Sequence, residues 1–325
     1  MALSRVFSAA LLLLCISFLS SSAQAQEKSG KEKIRITYAT SSLAFLVTFT
    51  AKDRGFYAKH GLDAELVQVR PGVAIAALLS GDADYAEVLG SAIRSAAKGA
   101  PIRSISTSIR APFFSLAVHP RFKSVKDLAG RLVGVTAIGG TNYISTRAAL
   151  QRYDVDPDRD VKIIAIGDET LMYEALKIGR VDAVMVAPPY SVRLKREGFP
   201  LLAHASQILS IPFVGLSTTI RKIATNRPQA KKTLKAEIET LRYLRSERAG
   251  AIELIRRRFA MDEQTARESY DVVIGAFTSD GRIQPEGVEA LLAMDRKDGL
   301  IPKTVTFDQV ADSSLAEEAL KELGG

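Results

Sequence analysis

The chain contains two stretches with nearly the same pattern of residues. Residues 77–88 read ALLSGDADYAEV and residues 175–186 read ALKIGRVDAVMV. In each stretch an apolar helical end meets a glycine that is able to take the left-handed C-cap conformation, and a short strand follows. A pattern that occurs twice predicts two related α/β halves. Clefts between such halves are favoured sites for small ligands.

Strands and helices are predicted to alternate along most of the chain. Strands are predicted over residues 33–39, 64–69, 84–88, 102–109, 114–118, 132–136, 161–166 and 182–186. Helical segments lie between most of them, and beyond residue 221 the chain is almost entirely helical. This alternation favours mainly parallel sheets that are covered by helices on both faces.

The N-terminus has the features of a secretory signal peptide. Arg5 precedes an apolar run over residues 6–19, and residues 23–25 read AQA, which is a small-x-small cleavage site. Serines interrupt the run from Ser17 onward, which argues against a transmembrane anchor. We therefore expect cleavage after Ala25 and a periplasmic mature protein.

Composition excludes several kinds of site. Signal cleavage removes Cys15, the single cysteine of the 325 residues, so the mature chain has no disulfide, thiolate metal site or cysteine nucleophile. The net charge of +8 is not clustered, and the chain has no tryptophan, so nucleic acid is a poor partner. His60, His119 and His204 are scattered, and we expect neither a metal nor a cofactor. The positive net charge is still compatible with a general attraction for small anions.

The turns between strands and helices are the candidate ligand contacts. In open α/β sheets, ligands lie outside the carboxyl ends of the strands, where helix N-termini attract anions. The candidate turns comprise residues 40–42, 72–73, 89–91, 139–142 and 187–190, and so include Pro189. Gly72, Gly90 and Gly140 would let a ligand approach the backbone closely. The alternative is that these turns only reverse the chain.

Four side chains allow two interpretations each. Arg110 is able to hold a carboxylate or sulfonate bidentately, or it lies exposed beside a turn. Tyr190 and Phe113 either form an aromatic side of the cleft or pack in the core. Glu87 would repel an anion in the cleft. If Glu87 lines the pocket, the ligand is expected to have a cationic or hydrogen-donating part.

Seven short motifs follow one another in the first two thirds of the chain. They are TSS at 40–42, DRGFY at 53–57, GLDAE at 61–65, SGDADY at 80–85, KGAP at 98–101, VKDLAG at 125–130 and VGV at 133–135. In this order they resemble the NMT1/SsuA-like family, the solute-binding components of nitrate, sulfonate and taurine type ABC importers. The resemblance covers roughly residues 33 to 220.

The resemblance implies an α/β protein with the type II periplasmic binding fold, in which two lobes joined by two crossovers close on the ligand like a hinged clamp. Lobe I would comprise residues 33–117 and 215–325, lobe II residues 118–214, with crossovers near His119-Pro120 and Gly215. Carried over from the family, the ligand contacts would be Ser41, Ser42, Gly90, Ser91, Gly140, Thr141 and Asn142.

The expected function is that of a non-catalytic, monomeric periplasmic binding protein. It would capture a small anionic organic solute and deliver it to an ABC permease in the inner membrane. One alternative is a periplasmic sensor whose closed form docks on a receptor. The other is an enzyme like the pyrimidine synthases of this fold. It is disfavoured because those enzymes depend on a cysteine-rich segment and the mature chain would have no cysteine.

Overall fold

The computed structural model of the protein describes residues 30–324. The predicted signal peptide and its cleavage site lie outside the described residues. The described chain from Glu32 onward forms one compact unit. Among the described residues, no helix is both long enough and apolar enough to span a bilayer.

Ten strands and thirteen α-helices can be assigned within the described residues. The strands are β1 (Glu32–Tyr38), β2 (Leu62–Gln68), β3 (Tyr85–Ala86), β4 (Ile102–Ser104), β5 (Ser115–Val118), β6 (Leu132–Val135), β7 (Lys162–Ala165), β8 (Ala183–Val186), β9 (Leu201–His204) and β10 (Ser217–Thr219). The α-helices are α1 (Leu46–Asp53), α2 (Phe56–Lys59), α3 (Pro71–Ser80), α4 (Leu89–Ala97), α5 (Thr141–Arg152), α6 (Glu169–Lys177), α7 (Tyr190–Arg196), α8 (Ile220–Thr225), α9 (Arg227–Ser246), α10 (Arg248–Arg258), α11 (Glu263–Val273), α12 (Pro285–Lys297) and α13 (Ser314–Glu322). Short 3-10 helices add Leu43–Phe45, Val125–Leu128, Ala205–Gln207, Ile274–Ala276 and Phe307–Gln309.

The strands form two five-stranded sheets of equivalent topology, ordered β2-β1-β3-β10-β4 and β7-β6-β8-β5-β9. In the first sheet β10 is antiparallel to β3 and β4, and in the second β5 is antiparallel to β8 and β9. The remaining strands of each sheet run in one direction, as predicted from the alternation of strands and helices. In each sheet the antiparallel strand is the first one formed after the chain arrives from the other sheet.

The repeated sequence pattern lies at equivalent places in the two sheets. It covers the end of α3 with β3 and the end of α6 with β8, and both strands are third in their sheets. Gly81 caps α3 with φ 87°, and Gly179 follows α6 with φ 72°. Both glycines take the left-handed conformation that the pattern predicted, which glycine adopts readily because it has no Cβ to clash with its own backbone.

Two crossovers connect the sheets. The first comprises residues 105–114 between β4 and β5, and the second comprises residues 205–216 between β9 and β10. Gly215, near which a crossover was predicted, lies in the second of these segments. The first crossover comes earlier than the predicted position at His119-Pro120, because β5 already pairs with β8 and β9. The predicted lobe boundary between residues 117 and 118 therefore falls inside β5.

The predicted strand over residues 102–109 ends early, at Ser104. Beyond it, the Ile105 amide donates to the carbonyl of Leu216 at 2.8 Å, and Ile109 forms isolated bridges to Val214 and Phe277. These contacts with the other crossover and with Phe277 take the place of regular strand pairing. Local propensity could not reveal them, because the partners lie over a hundred residues away in the sequence.

The helical C-terminal part packs against the first sheet. The predicted apolar stripe Leu234, Ile238 and Leu241 on α9 is buried, with each residue about 1% exposed. Full burial of such side chains contributes roughly 1.5–3 kcal/mol each. The α9 helix contacts α1 and α2, which follow β1. Within this layer α9 therefore covers the first sheet, whereas α11 contacts α7 of the second lobe.

Candidate functional site

A cavity of about 40 Å³, here called the inner cavity, lies between the two sheets. Its walls come from the segments that follow β1, β3 and β6, from the N-terminus of α6 and from both crossovers. These segments leave the carboxyl ends of the strands, which is where ligands bind in open α/β sheets. The predicted turns are therefore brought together at one place by the fold.

The first sheet contributes polar groups from two of its turns. Thr40 follows β1, while Glu87 and Ser91 lie between β3 and the first turn of α4, and all three line the inner cavity. Ser91 is one of the predicted contacts. The hydroxyl oxygens of Thr40 and Ser42 are 3.2 Å apart, and Ser42 is fully buried, so the Ser42 hydroxyl supports Thr40 from behind.

The second sheet contributes the N-terminus of α5. The predicted residues Gly140, Thr141 and Asn142 all line the inner cavity. The Asn142 side chain accepts from the amide of Thr136 at 3.1 Å and donates to the carbonyl of Met185 at 2.6 Å. Both ends of this side chain therefore hold the turn against β8, and its role is to position the helix N-terminus.

Three phenylalanines form the apolar part of the cavity, Phe45, Phe114 and Phe213. The rings of Phe114 and Phe213 belong to different crossovers and meet edge to face, with centroids 4.7 Å apart. Phe113 packs against Phe213 from outside the inner cavity, with centroids 5.4 Å apart. The sequence left Phe113 and Tyr190 either as an aromatic side of the cleft or as core residues, and neither lines the inner cavity. It did not indicate Phe45, Phe114 and Phe213, because no local signal shows which face of a crossover points inward.

Among residues 30–324, two glutamates line the inner cavity, and no lysine or arginine does. Glu87 is 1% exposed, and neither of its carboxyl oxygens has a hydrogen-bond partner among the described residues. Burial raises the pKa of Glu87 well above its usual range, and the neighbouring Glu237 carboxylate raises it further. The sequence placed Glu87 beside a binding turn, and the structure puts it in the cavity wall.

Glu169, at the first turn of α6, was not among the predicted contacts. Its carboxylate accepts from the amide of Ala187 at 2.6 Å and from the hydroxyl of Thr40 at 3.1 Å, so it links the two sheets. Burial raises its pKa to about 7, although these two hydrogen bonds lower it. Gly167 and Asp168 before it form the same kind of strand-to-helix turn as the predicted sites, so the turn rule could have found it.

A wider space of about 530 Å³, here called the outer groove, adjoins the inner cavity and shares Pro71, Ser91 and Gly140 with it. The predicted residue Gly72 lines the outer groove. Its basic side chains are Arg94 and Lys98 from the first lobe and Arg147 from α5. A volume of this size is typical of small-molecule sites.

The Arg94 guanidinium is the most buried cation of the outer groove. Its Nε lies 2.7 Å from Oδ2 of Asp295, and its side chain is 11% exposed. Both terminal nitrogens lack hydrogen-bond partners among the described residues. Burial lowers the pKa of Arg94, and the Asp295 carboxylate opposes this change. The two terminal nitrogens of Arg94 are therefore unpaired within the described residues and are themselves buried.

Three further predicted residues lie where the two sheets' loops touch beside the inner cavity. The Tyr190 hydroxyl donates to the carbonyl of Ser41 at 3.1 Å and lies 2.7 Å from the hydroxyl of Thr170. The amide of Leu43 donates to the carbonyl of Pro188, next to Pro189, at 2.9 Å. The structure therefore places Ser41 and Tyr190 in a contact between lobes and Pro189 beside another one, and none of the three is in the inner cavity wall.

Arg110 lies away from the other predicted contacts. Its Nη2 donates to the carbonyl of Gly275 at 2.5 Å, and the residue is exposed. It lines a separate groove of about 900 Å³ with His204 and Asp271. The structure brings together Gly72, Gly90, Ser91, Gly140, Thr141 and Asn142 around the inner cavity and outer groove, but not Arg110.

Comparison with known proteins agrees with this architecture. YtlA of Bacillus subtilis (strain 168) is 20% identical over 92% of this chain and 93% of its own length. The periplasmic nitrate-binding protein NrtA of Synechocystis PCC 6803 superposes with a TM-score of 0.76 at 17% identity, over 90% of this chain and 89% of NrtA. The alkanesulfonate-binding protein SsuA of Xanthomonas axonopodis pv. citri, bound to MOPS, superposes with a TM-score of 0.71 at 16% identity, over 88% and 97% of the two chains.

These structural relatives share the periplasmic binding protein fold, and most are binding components of ABC importers. The fold also occurs in an enzyme, the desulfurization enzyme DszB, with a TM-score of 0.66 at 13% identity over 90% of this chain and 99% of DszB. The family model described as NMT1/THI5 like matches residues 43–247, which include both repeats and every turn of the inner cavity except the one after β1. With that match over most of a two-lobed fold, the chain belongs to the NMT1/THI5-like family.

Proposed function

We propose that this protein is the periplasmic solute-binding component of an ABC importer and that it captures one small organic solute between its lobes. The observation that carries the proposal is the inner cavity, whose walls come from both sheets and both crossovers. A solute held there would contact both lobes and favour their closure. The closed, loaded form would then dock on a permease in the inner membrane.

We further propose that the solute carries an acidic group and that this group lies in the outer groove. Arg94, Lys98 and Arg147 line it together with Asp295 and Asp298. Arg94 is paired with Asp295 and Arg147 with Asp158, and the two terminal nitrogens of Arg94 are buried and unpartnered among the described residues. The N-termini of α4 and α5 border the same space and add the positive ends of two helix dipoles. A carboxylate or sulfonate suits the flat guanidinium fork of Arg94.

The proposal is tested by a thermal-shift screen of the purified mature chain against organic sulfonates, carboxylates, nitrate and pyrimidines. A true solute should raise the melting temperature in proportion to the logarithm of its concentration above Kd. Small-angle X-ray scattering with that solute should show a more compact particle. Absence of any stabilising solute across a broad panel, or stabilisation without closure, would contradict a cleft-binding role.

An uptake assay distinguishes a transport role from a signalling role. Deletion of the gene should abolish uptake of the labelled solute if a permease is the partner, and should leave uptake intact if the partner is a receptor. We also propose that the solute leaves the protein chemically unchanged and that the protein is a monomer. Recovery of a converted product after prolonged incubation would favour an enzyme, as in DszB, and gel filtration with light scattering checks the oligomeric state.

The periplasmic location rests on the predicted signal peptide. Mass spectrometry of the exported protein should give an N-terminus at Gln26. Retention of Met1, or a lipid on Cys15, would contradict the proposed processing.

A further inference from the structure

The inner cavity has mainly apolar walls. The rings of Phe45, Phe114 and Phe213 line it, together with the side chains of Val88 and Val214. Its volume of about 40 Å³ has room for about three water-sized groups, since one such group needs roughly 10–15 Å³. The inner cavity therefore fits a short alkyl end or one edge of an aromatic ring.

Three polar side chains of the inner cavity are already occupied by protein groups. The Thr40 hydroxyl donates to Glu169, and both ends of the Asn142 side chain are engaged with backbone groups. The carboxyl oxygens of Glu87 are buried beside Glu237. No lysine or arginine of the described chain lines this cavity. An acidic group placed there would lose its water and meet no cation, which is costly.

The outer groove contains two large apolar side chains that the protein leaves exposed. Ile138, on the turn between β6 and α5, is 59% exposed, and Leu300, which follows α12, is 50% exposed. Both line the outer groove, together with the half-buried side chains of Ile75, Ile144 and Met294. Exposed apolar surface that is gathered in one groove is typical of a binding site. An apolar solute body lying in the groove would remove both side chains from water.

The basic side chains that a solute is able to reach lie in the outer groove. Lys98 lines it and is exposed, and Arg147 lines it from α5 with 25% of its side chain exposed. The two spaces share Pro71, Ser91 and Gly140, so one solute is able to occupy both. Along the cleft the walls therefore change from apolar and without cations to apolar and basic.

We propose that the solute is an amphipathic acid with a single acidic end, and that it binds with its apolar end in the inner cavity and its acidic end in the outer groove. Ile138 and Leu300 determine specificity by covering its apolar body. This inference rests on the proposed function, because it assigns the chemistry and the orientation of the solute bound at the same cleft. Met294 and Leu300 lie outside residues 43–247, which match the family model, so part of this contact comes from the C-terminal part of the chain.

The test uses matched pairs of acids in which a terminal methyl group is replaced by a second carboxylate. The pairs are hexanoate with adipate, para-toluate with terephthalate, and para-toluenesulfonate with para-sulfobenzoate. In at least one pair the monoacid should bind at least about tenfold more tightly by titration calorimetry, because the second carboxylate would have to enter the inner cavity. The opposite orientation predicts the reverse order, since the second carboxylate would then lie beside Lys98.

Ile138→Ser and Leu300→Ser should each weaken binding of the preferred monoacid by about fivefold or more, because less apolar surface is then covered on binding. Ile178→Ser is the matched control. Ile178 follows α6, is 68% exposed, and lines neither the inner cavity nor the outer groove. All three variants should keep the melting temperature of the empty protein, so a change in affinity reports on the solute contact. Unchanged affinity in both groove variants would overturn the role assigned to these side chains.

Ala39→Val should show which end of the solute enters the inner cavity. The half-buried Ala39 lines that cavity, and a valine there would take up part of its volume. In the unmodified protein hexanoate should bind about tenfold more tightly than butanoate, because its two further methylene groups reach the inner cavity. Ala39→Val should remove most of this difference. Ala137→Val is the matched control, since Ala137 lines only the outer groove, and it should change both affinities by the same factor.

Equal or tighter binding of the diacid in every pair would overturn the inference, and so would failure of every monoacid to bind. In either case, closure of the lobes on a diacid or on another solute would leave the proposed function standing. Failure of all solutes to bind or to close the lobes would instead refute the proposed function, and the inference with it. If Ala39→Val does not fold, the order within the pairs still decides the orientation.

Discussion

Gly90 on α4 faces Thr141 on α5 across the cleft, so closely that a Cβ added at Gly90 would lie 2.7 Å from the Thr141 hydroxyl oxygen. Gly90 has an ordinary helical conformation, so its lack of a side chain serves this close approach of the lobes rather than an unusual φ angle. Gly140, the residue before Thr141, has room, since its added Cβ would meet Ala137 O at 3.5 Å and Pro71 Cγ at 3.8 Å.

Gly90→Ala should therefore weaken solute binding by about tenfold, or roughly 1.4 kcal/mol, because Thr141 must move before the lobes can close. The empty protein should be as stable or slightly more stable, since alanine favours a helix. Titration calorimetry with a solute found by thermal shift measures the affinity. Gly140→Ala is the control and should bind within about twofold of the unmodified protein; equal losses in the two variants would contradict this explanation.

The stability of the protein should depend on pH through Glu169. The pKa of Glu169 is raised to about 7 in the folded state. The stabilisation provided by protonated Glu169 is therefore fully present below the pKa that Glu169 has in the unfolded chain, and it is lost as pH rises through about 7. The loss is on the order of 3 kcal/mol at most. Urea denaturation between about pH 5 and pH 8 should show a smaller decrease for Glu169→Gln than for the unmodified protein. The exposed Glu317→Gln should change nothing, and parallel curves for all three proteins would exclude Glu169 as the cause.

Tyr190→Phe should weaken solute binding several-fold. It removes the hydroxyl that donates to Ser41 and pairs with Thr170, and a hydrogen bond of this kind contributes about 0.5–1.5 kcal/mol. Scattering of the loaded protein should show a larger open fraction. Tyr153→Phe on an exposed tyrosine serves as the control. Unchanged affinity and compactness would mean that the Tyr190 contact does not contribute to closure.

Arg94→Met should destabilise the protein by about 3 kcal/mol, because it leaves the buried Asp295 carboxylate without its partner at 2.7 Å. Adding Asp295→Asn should recover most of this loss, which urea denaturation of the single and double variants would measure. The double variant should fold and still lose affinity for acidic solutes. Full affinity in the refolded double variant would place the acidic group of the solute elsewhere.

The sequence by itself determined the architecture. The two glycine-ended helices with their following strands predicted two related halves, and Gly81 and Gly179 have the predicted left-handed conformation. The alternation of segments predicted mainly parallel sheets, and the motifs predicted the family. These features could be predicted because periodicity and turn chemistry depend on neighbouring residues, and neighbouring residues keep the same local conformation in the fold.

The candidate site could be predicted only in part. Four predicted residues line the inner cavity, namely Ser91, Gly140, Thr141 and Asn142. They could be predicted because helix N-termini at the ends of strands are recognisable from the sequence. Tyr190 and Arg110 come from the same kind of reasoning but lie outside it, since their position depends on which loops the lobes bring into contact.

Only the tertiary structure decided the character of the cavity. Phe114 and Phe213 meet because two crossovers, far apart in sequence, run side by side, and Glu169 reaches Thr40 because the lobes face each other. Tyr57 and Thr48 donate to Glu237 on α9, far along the chain, and Glu87 is buried beside the same carboxyl group. Such long-range partners set the burial and pairing of each polar group, and neither quantity is encoded in the residues beside it.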